Sequence, residues 1–242
     1  MNVSPLSGKS DFQLFIALDY GLYALVKRCK TKQIILCTHS AYFVNWKAIT
    51  VGASLIRIAK ESTNSICYQI SSECAKKFQG ILSDLNNPHV LGSEATESLF
   101  LDDHIILVEG QEDVVIFNRI AEQLNIPIQG SFFGWGVGGA AKMSAMLHLF
   151  KDLGYKHVVA VFDGDKKEEA EKNRKEYSTY KIYVLPKDDI RDKPPCSKQT
   201  DNLKYPCYRA SKEGLTTEKG QIKKGTENLI ESILKEINNL LQ

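Results

Sequence analysis

Hydrophobic and polar positions follow two different rhythms along this chain. Over 11–29, apolar side chains recur at Leu14, Leu18, Leu22, Leu25 and Val26, the stripe of an amphipathic helix. Residues 33–38 are a short β-rich run through Ile34-Ile35-Leu36-Cys37, ending at Thr38-His39-Ser40. Runs 54–59 and 65–70 read as two strands joined by a polar turn at 61–64. The polar stretch 71–97 carries the turn signal Asn86-Asn87-Pro88 and divides the chain into two regions.

Beyond that stretch the alternation becomes regular. A strand over 105–108 precedes a helix over 113–124 whose apolar face is Val114, Phe117, Ile120 and Leu124. A strand over 128–133 leads through a Gly-rich turn to a helix over 140–153. A strand over 157–162, a charged helix over 166–177 and a strand over 182–185 complete the series. Strands alternating with helices predict an α/β fold, a four-stranded parallel sheet with flanking helices. Residues 187–224 are less regular. A last helix over 226–240 carries an apolar stripe at Leu229, Ile230, Ile233, Leu234 and Ile237, read here as exposed and so favouring a dimer or larger assembly.

Composition adds little to this picture. The 242 residues are 43% apolar and 25% charged, ordinary for a soluble globular chain, and the net charge of +2 gives no global attraction to nucleic acid. Locally, 187–224 holds ten Lys/Arg against six Asp/Glu, an excess that would suit a phosphate backbone. The six cysteines form no Cys-x-x-Cys pair and read as reduced thiols of a cytoplasmic protein. Cys196 and Cys207 flank a Pro-rich loop, but no second pair or nearby histidine completes a zinc site. No apolar run approaches the ~18–20 residues of a membrane span, and 1–10 is polar and unlike a targeting sequence.

The chemistry gathers at two strand ends. Glu109 follows the first strand of the regular region, and Asp163 and Asp165 follow the third. Ligands of open α/β sheets collect beyond the carboxyl ends of strands. Neighbouring strand tips lie ~5 Å apart, so three carboxylates there would repel unless a cation or proton compensated them. Mg²⁺ or Mn²⁺, hard ions that take oxygen ligands, suit such a set. Each motif alone has a plainer reading, since an acid after a strand is often a helix cap; the pair, in this order on one sheet edge, points to a metal site.

The segment Ile106-Leu107-Val108-Glu109-Gly110-Gln111-Glu112-Asp113 resembles the first motif of Toprim domains, and Val161-Phe162-Asp163-Gly164-Asp165 resembles the second. The resemblance covers about residues 100–186. It implies a Rossmann-like sheet with the first and third strands adjacent, and divalent-metal chemistry on nucleic acid. Glu97-Ser98-Leu99-Phe100-Leu101-Asp102-Asp103 is similar to the lead-in of overcoming-lysogenization-defect (OLD) nucleases, in which an ABC-type ATPase precedes the Toprim domain. The run 33–44 is similar to the strand and switch histidine near the end of such an ATPase, with Ala41 where the family has Pro. The resemblance therefore implies a partial ATPase segment over 1–74, a linker over 75–99 and a Toprim nuclease domain over 100–242.

By this resemblance His39 would sense a nucleotide phosphate. Glu109, Asp163 and Asp165 would be catalytic and hold the first metal, with Asp113 and Asp189 near a second. Asp189 and Asp192 substitute for an acid the family places where this chain has Arg191. Lys223 or Lys224 would supply the lysine that stabilises the scissile phosphate, and Lys187, Arg191 and Lys193 would hold DNA. Ser7-Gly8-Lys9-Ser10 ends like a phosphate loop, but Val3 stands where its first glycine belongs, so ATP would act only with a complete site supplied elsewhere. The expected partners are DNA and a second copy or an ATPase chain, with no membrane, and the expected role is defence against phage. Two rivals stand beside the nuclease. One is a catalytically inactive regulatory or dimerising partner. The other is a dinucleotide-binding domain using Gly134-Trp135-Gly136-Val137-Gly138-Gly139, which follows a strand and opens a helix but leaves Glu109 and Asp165 without a role.

Overall fold

In a computed structural model of the protein, the residues described are 33–39, 43–44, 46–50, 52–77, 100, 102–134, 137, 139–195 and 210–242. The helix expected over 11–29, the phosphate-loop-like Ser7–Ser10, Ala41, the turn at 86–88, Cys196, Cys207, and Trp135, Gly136 and Gly138 of the glycine turn lie outside them.

Four parallel strands form the central sheet: β3 (His104–Leu107), β4 (Ser131–Phe133), β5 (His157–Phe162) and β6 (Lys181–Val184). Their order is β4-β3-β5-β6, with Leu107 opposite Ala160 and Phe162 opposite Val184. From β3 the chain moves outward to β4, then crosses back to place β5 on the other side of β3. That reversal opens a crevice beyond the carboxyl ends of β3 and β5, the usual ligand position in such sheets. The core strands are apolar at nearly every position because helices cover the sheet, and β5 is buried from Val158 to Phe162.

Three helices follow the strands: α3 (Gln111–Gln123), α4 (Ala140–Asp152) and α5 (Lys167–Glu176). A further helix, α6 (Glu227–Leu241), lies against β3, β5 and β6. Its Ile230, Ile233, Leu234, Ile237 and Leu241 are buried in the core, and only Leu229 of the expected stripe is exposed. The stripe is therefore the chain's own packing surface and does not argue for an oligomer. The buried Asn238 ties α6 down, accepting from Gln129 N–H at 2.9 Å and donating to the Pro127 carbonyl at 2.8 Å. This arrangement is a Toprim-like, Rossmann-type α/β fold.

Before the sheet come α1 (Trp46–Thr50), an antiparallel hairpin of β1 (Ile56–Glu61) and β2 (Asn64–Gln69), and α2 (Ser72–Lys77). The hairpin docks at the turn between α4 and β5. Arg57 donates to the Leu153 carbonyl at 3.2 Å, pairs with Asp103 and lies 4.3 Å over the Tyr155 ring. Tyr68 packs over Gly154, where φ is +71° and any Cβ would fall 2.4 Å from the ring. The strand expected over 33–38 is absent: the segment is irregular, and Ile35 is 80% exposed. β propensity is realised only in a ladder, and no described strand pairs with this run.

Two short strands organise the irregular region. β7 (Asp189–Arg191) pairs in parallel with β8 (Gly214–Thr216), and Lys193 and Lys212 bridge just beyond, exchanging backbone hydrogen bonds of 3.1 and 2.8 Å. The backbones approach so closely that a Cβ on Gly214 would lie 2.0 Å from the Arg191 carbonyl carbon.

Candidate metal centre

The site is built at the β3/β5 reversal. Glu109 leaves the end of β3 and its Oε1 accepts the backbone N–H of Asp163 at 3.0 Å, a bond that locks the two motifs together. Gly164 then fastens the second motif to the strand beside it. Its N–H donates to the Lys187 carbonyl at 3.0 Å, and an added Cβ would meet that oxygen at 2.2 Å. The close approach carries the following turn over the crevice and sets Asp189 wholly buried at its floor. Asp113 stands at the start of α3, where its Oδ2 accepts the Gly110 N–H at 2.9 Å, a capping contact at a helix N-terminus.

Five carboxylates thus converge from three segments. Glu109 and Asp163 are only 9% and 7% exposed. Burial first, then the charges of Glu109, Asp189 and Asp113, pushes the Asp163 carboxyl up to about 9. Burial, reinforced by Asp189, pushes Asp113 up to about 7. Burial also raises Glu109, against the hydrogen bond from Asp163. Buried Oδ2 of Asp189 has no well-angled hydrogen bond; it faces the ammonium groups of Lys193 and, at 3.6 Å, Lys212. A crowded set of mutually repelling oxygen donors, whose raised pKa values report that repulsion, fits a hard divalent ion.

The structure distributes the expected site residues unevenly. Asp189 joins the cluster, whereas Asp192 turns away, accepting from the Gly214 N–H at 2.9 Å and from Lys223 at 2.6 Å. Lys223 also donates to the Gly214 carbonyl at 2.9 Å and so braces β8, and Lys224 is exposed. Lys212, which the sequence did not single out, enters the crevice instead. Its Nζ lies 2.8 Å from Asp165, 3.6 Å from Asp189 and 3.8 Å from Asp163. Burial disfavours this ammonium, but the hydrogen bond to Asp165 and the neighbouring acids outweigh it and raise its pKa. Lys166 flanks Asp165 at 3.7 Å. Sequence spacing could not have found Lys212, because the β7/β8 pairing and the bridge to Lys193 bring it across.

The three basic residues expected to hold DNA each meet an acid. Lys187 pairs with Glu213 at 2.7 Å, Arg191 with Glu112 at 2.5 Å, and Lys193 with Asp189. Arg191 also donates to the Glu218 carbonyl at 3.1 Å, outside the cluster. His39 is exposed, in a bend. The glycine turn has a local explanation. Gly134 sits against the first motif, where a Cβ would meet the Gly110 carbonyl at 2.3 Å. Gly139, at φ +102°, donates its N–H to the Glu109 carbonyl at 2.8 Å. These two glycines hold the Glu109 turn in place, and the strand they follow, β4, is at the sheet edge.

Residues 100–165 match the family model of the overcoming lysogenization defect protein-like TOPRIM domain. The match spans Glu109, Asp113, Asp163 and Asp165 and ends before Asp189 and Lys212. No curated protein matches the chain. Toprim domains are units of metal-dependent nucleotidyl-transfer and nuclease-like chemistry, and the acidic crevice found here has the donors for it.

A second group of ligand types lies at the far end of α4. One ligand atom each of Cys74, His148 and Asp152 falls within 4.8 Å of the others. Protons and hydrogen bonds already satisfy much of it. Asp152 Oδ2 accepts from Ser71 N–H and Oγ–H at 2.8 and 2.6 Å, and Lys77 Nζ sits 3.2 Å from His148 Nδ1. Burial, with Asp152 beside it, pushes the Cys74 thiol up to about 12, so the sulfur stays protonated.

Proposed function

We propose that this chain is a divalent-metal-dependent DNA endonuclease that nicks or cleaves phosphodiester bonds, using Mg²⁺ or Mn²⁺, within an anti-phage defence system of the OLD type. The observation that carries this reading is the Glu109 to Asp163 hydrogen bond, which brings both acidic motifs to one crevice. Glu109, Asp163 and Asp165 would hold the first ion. Asp113 and Asp189 line the same crevice and would flank a second.

A bound ion would activate water and stabilise the departing oxygen. The chain's own groups do the rest. The carboxylates would hold the ion, and the burial of Glu109, Asp163 and Asp189 would keep bulk water from them, strengthening charge interactions there. Lys166 and Lys212, beside the acids, and Lys187 would receive the phosphate backbone, giving salt-sensitive affinity. ATP control, on this reading, comes from an ATPase partner chain or a complete ATP site outside the described residues.

Incubation with supercoiled plasmid and Mg²⁺ or Mn²⁺ tests the proposal. Wild type should convert supercoiled to open-circular or linear DNA, with loss in EDTA, and Asp163→Ala should remove the activity. Equal background from the two proteins would refute it.

A further inference from the structure

The crevice already holds a cation, and the chain supplies it. Lys212 Nζ lies within 3.8 Å of carboxylates from three acids, Asp165, Asp189 and Asp163, on two separate segments. A cation serving these acids has to stand where those oxygens meet. The backbone of Lys212 is fixed by its two-way bridge to Lys193 and by the tight β7/β8 contact behind Gly214. Its side chain is different: four methylenes with rotatable bonds, ending in a compact charge that no neighbouring carbonyl retains in the crevice among the contacts described. Lys193, by comparison, is committed to the fully buried Asp189, and Lys223 is held by Asp192 and a carbonyl.

The ammonium and a divalent ion would compete for these oxygens. A divalent ion bound by Asp163 and Asp165 would stand within a few ångströms of the ammonium and repel it. We propose that Lys212 is a built-in counter-cation. It occupies the carboxylate site of the metal-free protein, is displaced toward the crevice mouth when a divalent ion enters, and so weakens metal affinity until an anion at the mouth takes it up. That anion is a phosphate of the nucleic-acid backbone. Metal and nucleic acid then bind with positive coupling, since each favours the outward position of one side chain and the coupling is reciprocal. This inference rests on the metal-nuclease reading and adds its regulation.

The test is Mn²⁺ binding, followed by electron paramagnetic resonance of the free ion, for wild type, Lys212→Gln and Lys212→Arg without DNA. Removing the competing charge in Lys212→Gln should tighten Mn²⁺ binding by about tenfold, within the range usual for coupled sites. Lys212→Arg keeps the charge and should stay within about threefold of wild type. A thermal melt separates this role from a merely structural one: Lys212→Gln should melt below wild type in EDTA and lose that deficit in saturating Mn²⁺. Equal or weaker Mn²⁺ affinity in Lys212→Gln, or a deficit that persists in Mn²⁺, overturns the counter-cation and leaves the metal site standing. Absence of Mn²⁺ binding in all three proteins removes the metal reading and this inference with it.

Discussion

Replacing Asp163 by Asn should stabilise the metal-free protein while abolishing its activity. Asp163 is 7% exposed, and burial together with Glu109, Asp189 and Asp113 pushes its carboxyl from 3.8 up to about 9. At pH 7 the folded protein therefore keeps this group protonated, whereas the unfolded chain releases the proton. Holding it costs about 4 kcal/mol, at ~1.36 kcal/mol for each pH unit between the ordinary value and neutrality. Asn has nearly the same shape and needs no proton, and the backbone N–H that bonds Glu109 is retained. Local relaxation and water entry already reduce the wild-type cost, so the expected gain is about 2 kcal/mol. For a chain of this size that raises Tm by roughly 4–8 °C. The assay is thermal denaturation of both proteins in EDTA at pH 7, repeated at about pH 3, below the ordinary 3.8, where the carboxyl is mostly protonated in both states and the gain should nearly vanish. In saturating Mn²⁺ the order should reverse, because only wild type gains from the ion. An Asp163→Asn protein that melts below wild type in EDTA at pH 7 would refute the reasoning.

The same electrostatics set a pH dependence for wild type. Asp113 and Asp163 have folded pKa values of about 7 and 9, above their ordinary 3.8, so the native state binds more protons than the unfolded one in between. Stability of the metal-free protein should be full below about pH 4 as far as these groups are concerned and should fall as pH rises from there through 7 to 9. Melts in EDTA across that window check the sign, and a flat or rising Tm between pH 6 and 9 would contradict it. Gly134→Ala should cost ~2–3 kcal/mol, since its Cβ would fall 2.3 Å from the Gly110 carbonyl and 2.6 Å from Val108 Cγ2. Because the displaced turn carries Glu109, Mn²⁺ affinity should fall as well; calorimetric titration measures it, and unchanged affinity would separate the glycine turn from the site. Wild type should also show no quenching of tryptophan fluorescence by NAD, the result that the dinucleotide alternative would reverse.

Much of the architecture was legible because it is local. The period of Val114, Phe117 and Ile120 predicts α3, and the expected strand 157–162, apolar from Val158 on, is β5 residue for residue. The two acidic motifs stand out for the same reason: each follows a buried strand directly, so its position in the chain is also its position on the sheet edge. Helix boundaries shifted by one or two residues, as caps such as Asp113 on Gly110 act on the turn before the apolar period begins.

What tertiary structure alone decided involves partners distant in the chain. Strand order made Glu109 and Asp163 neighbours across 54 residues. The close fit of Gly164 to the Lys187 carbonyl chose Asp189 for the crevice, while Lys223 drew Asp192 out of it. The apolar stripe of α6 looked like an assembly surface until β3, β5 and β6 covered it, and the β-rich 33–38 is irregular, with no partner among the described strands. Lys212 reached the acids through the β7/β8 pairing and the backbone bridge to Lys193. The physical reason is common to all of these. Amphipathic period and strand length are written in neighbouring residues, but the identity of a charge's partner depends on which segments a fold brings within a few ångströms, where Coulomb energy becomes large.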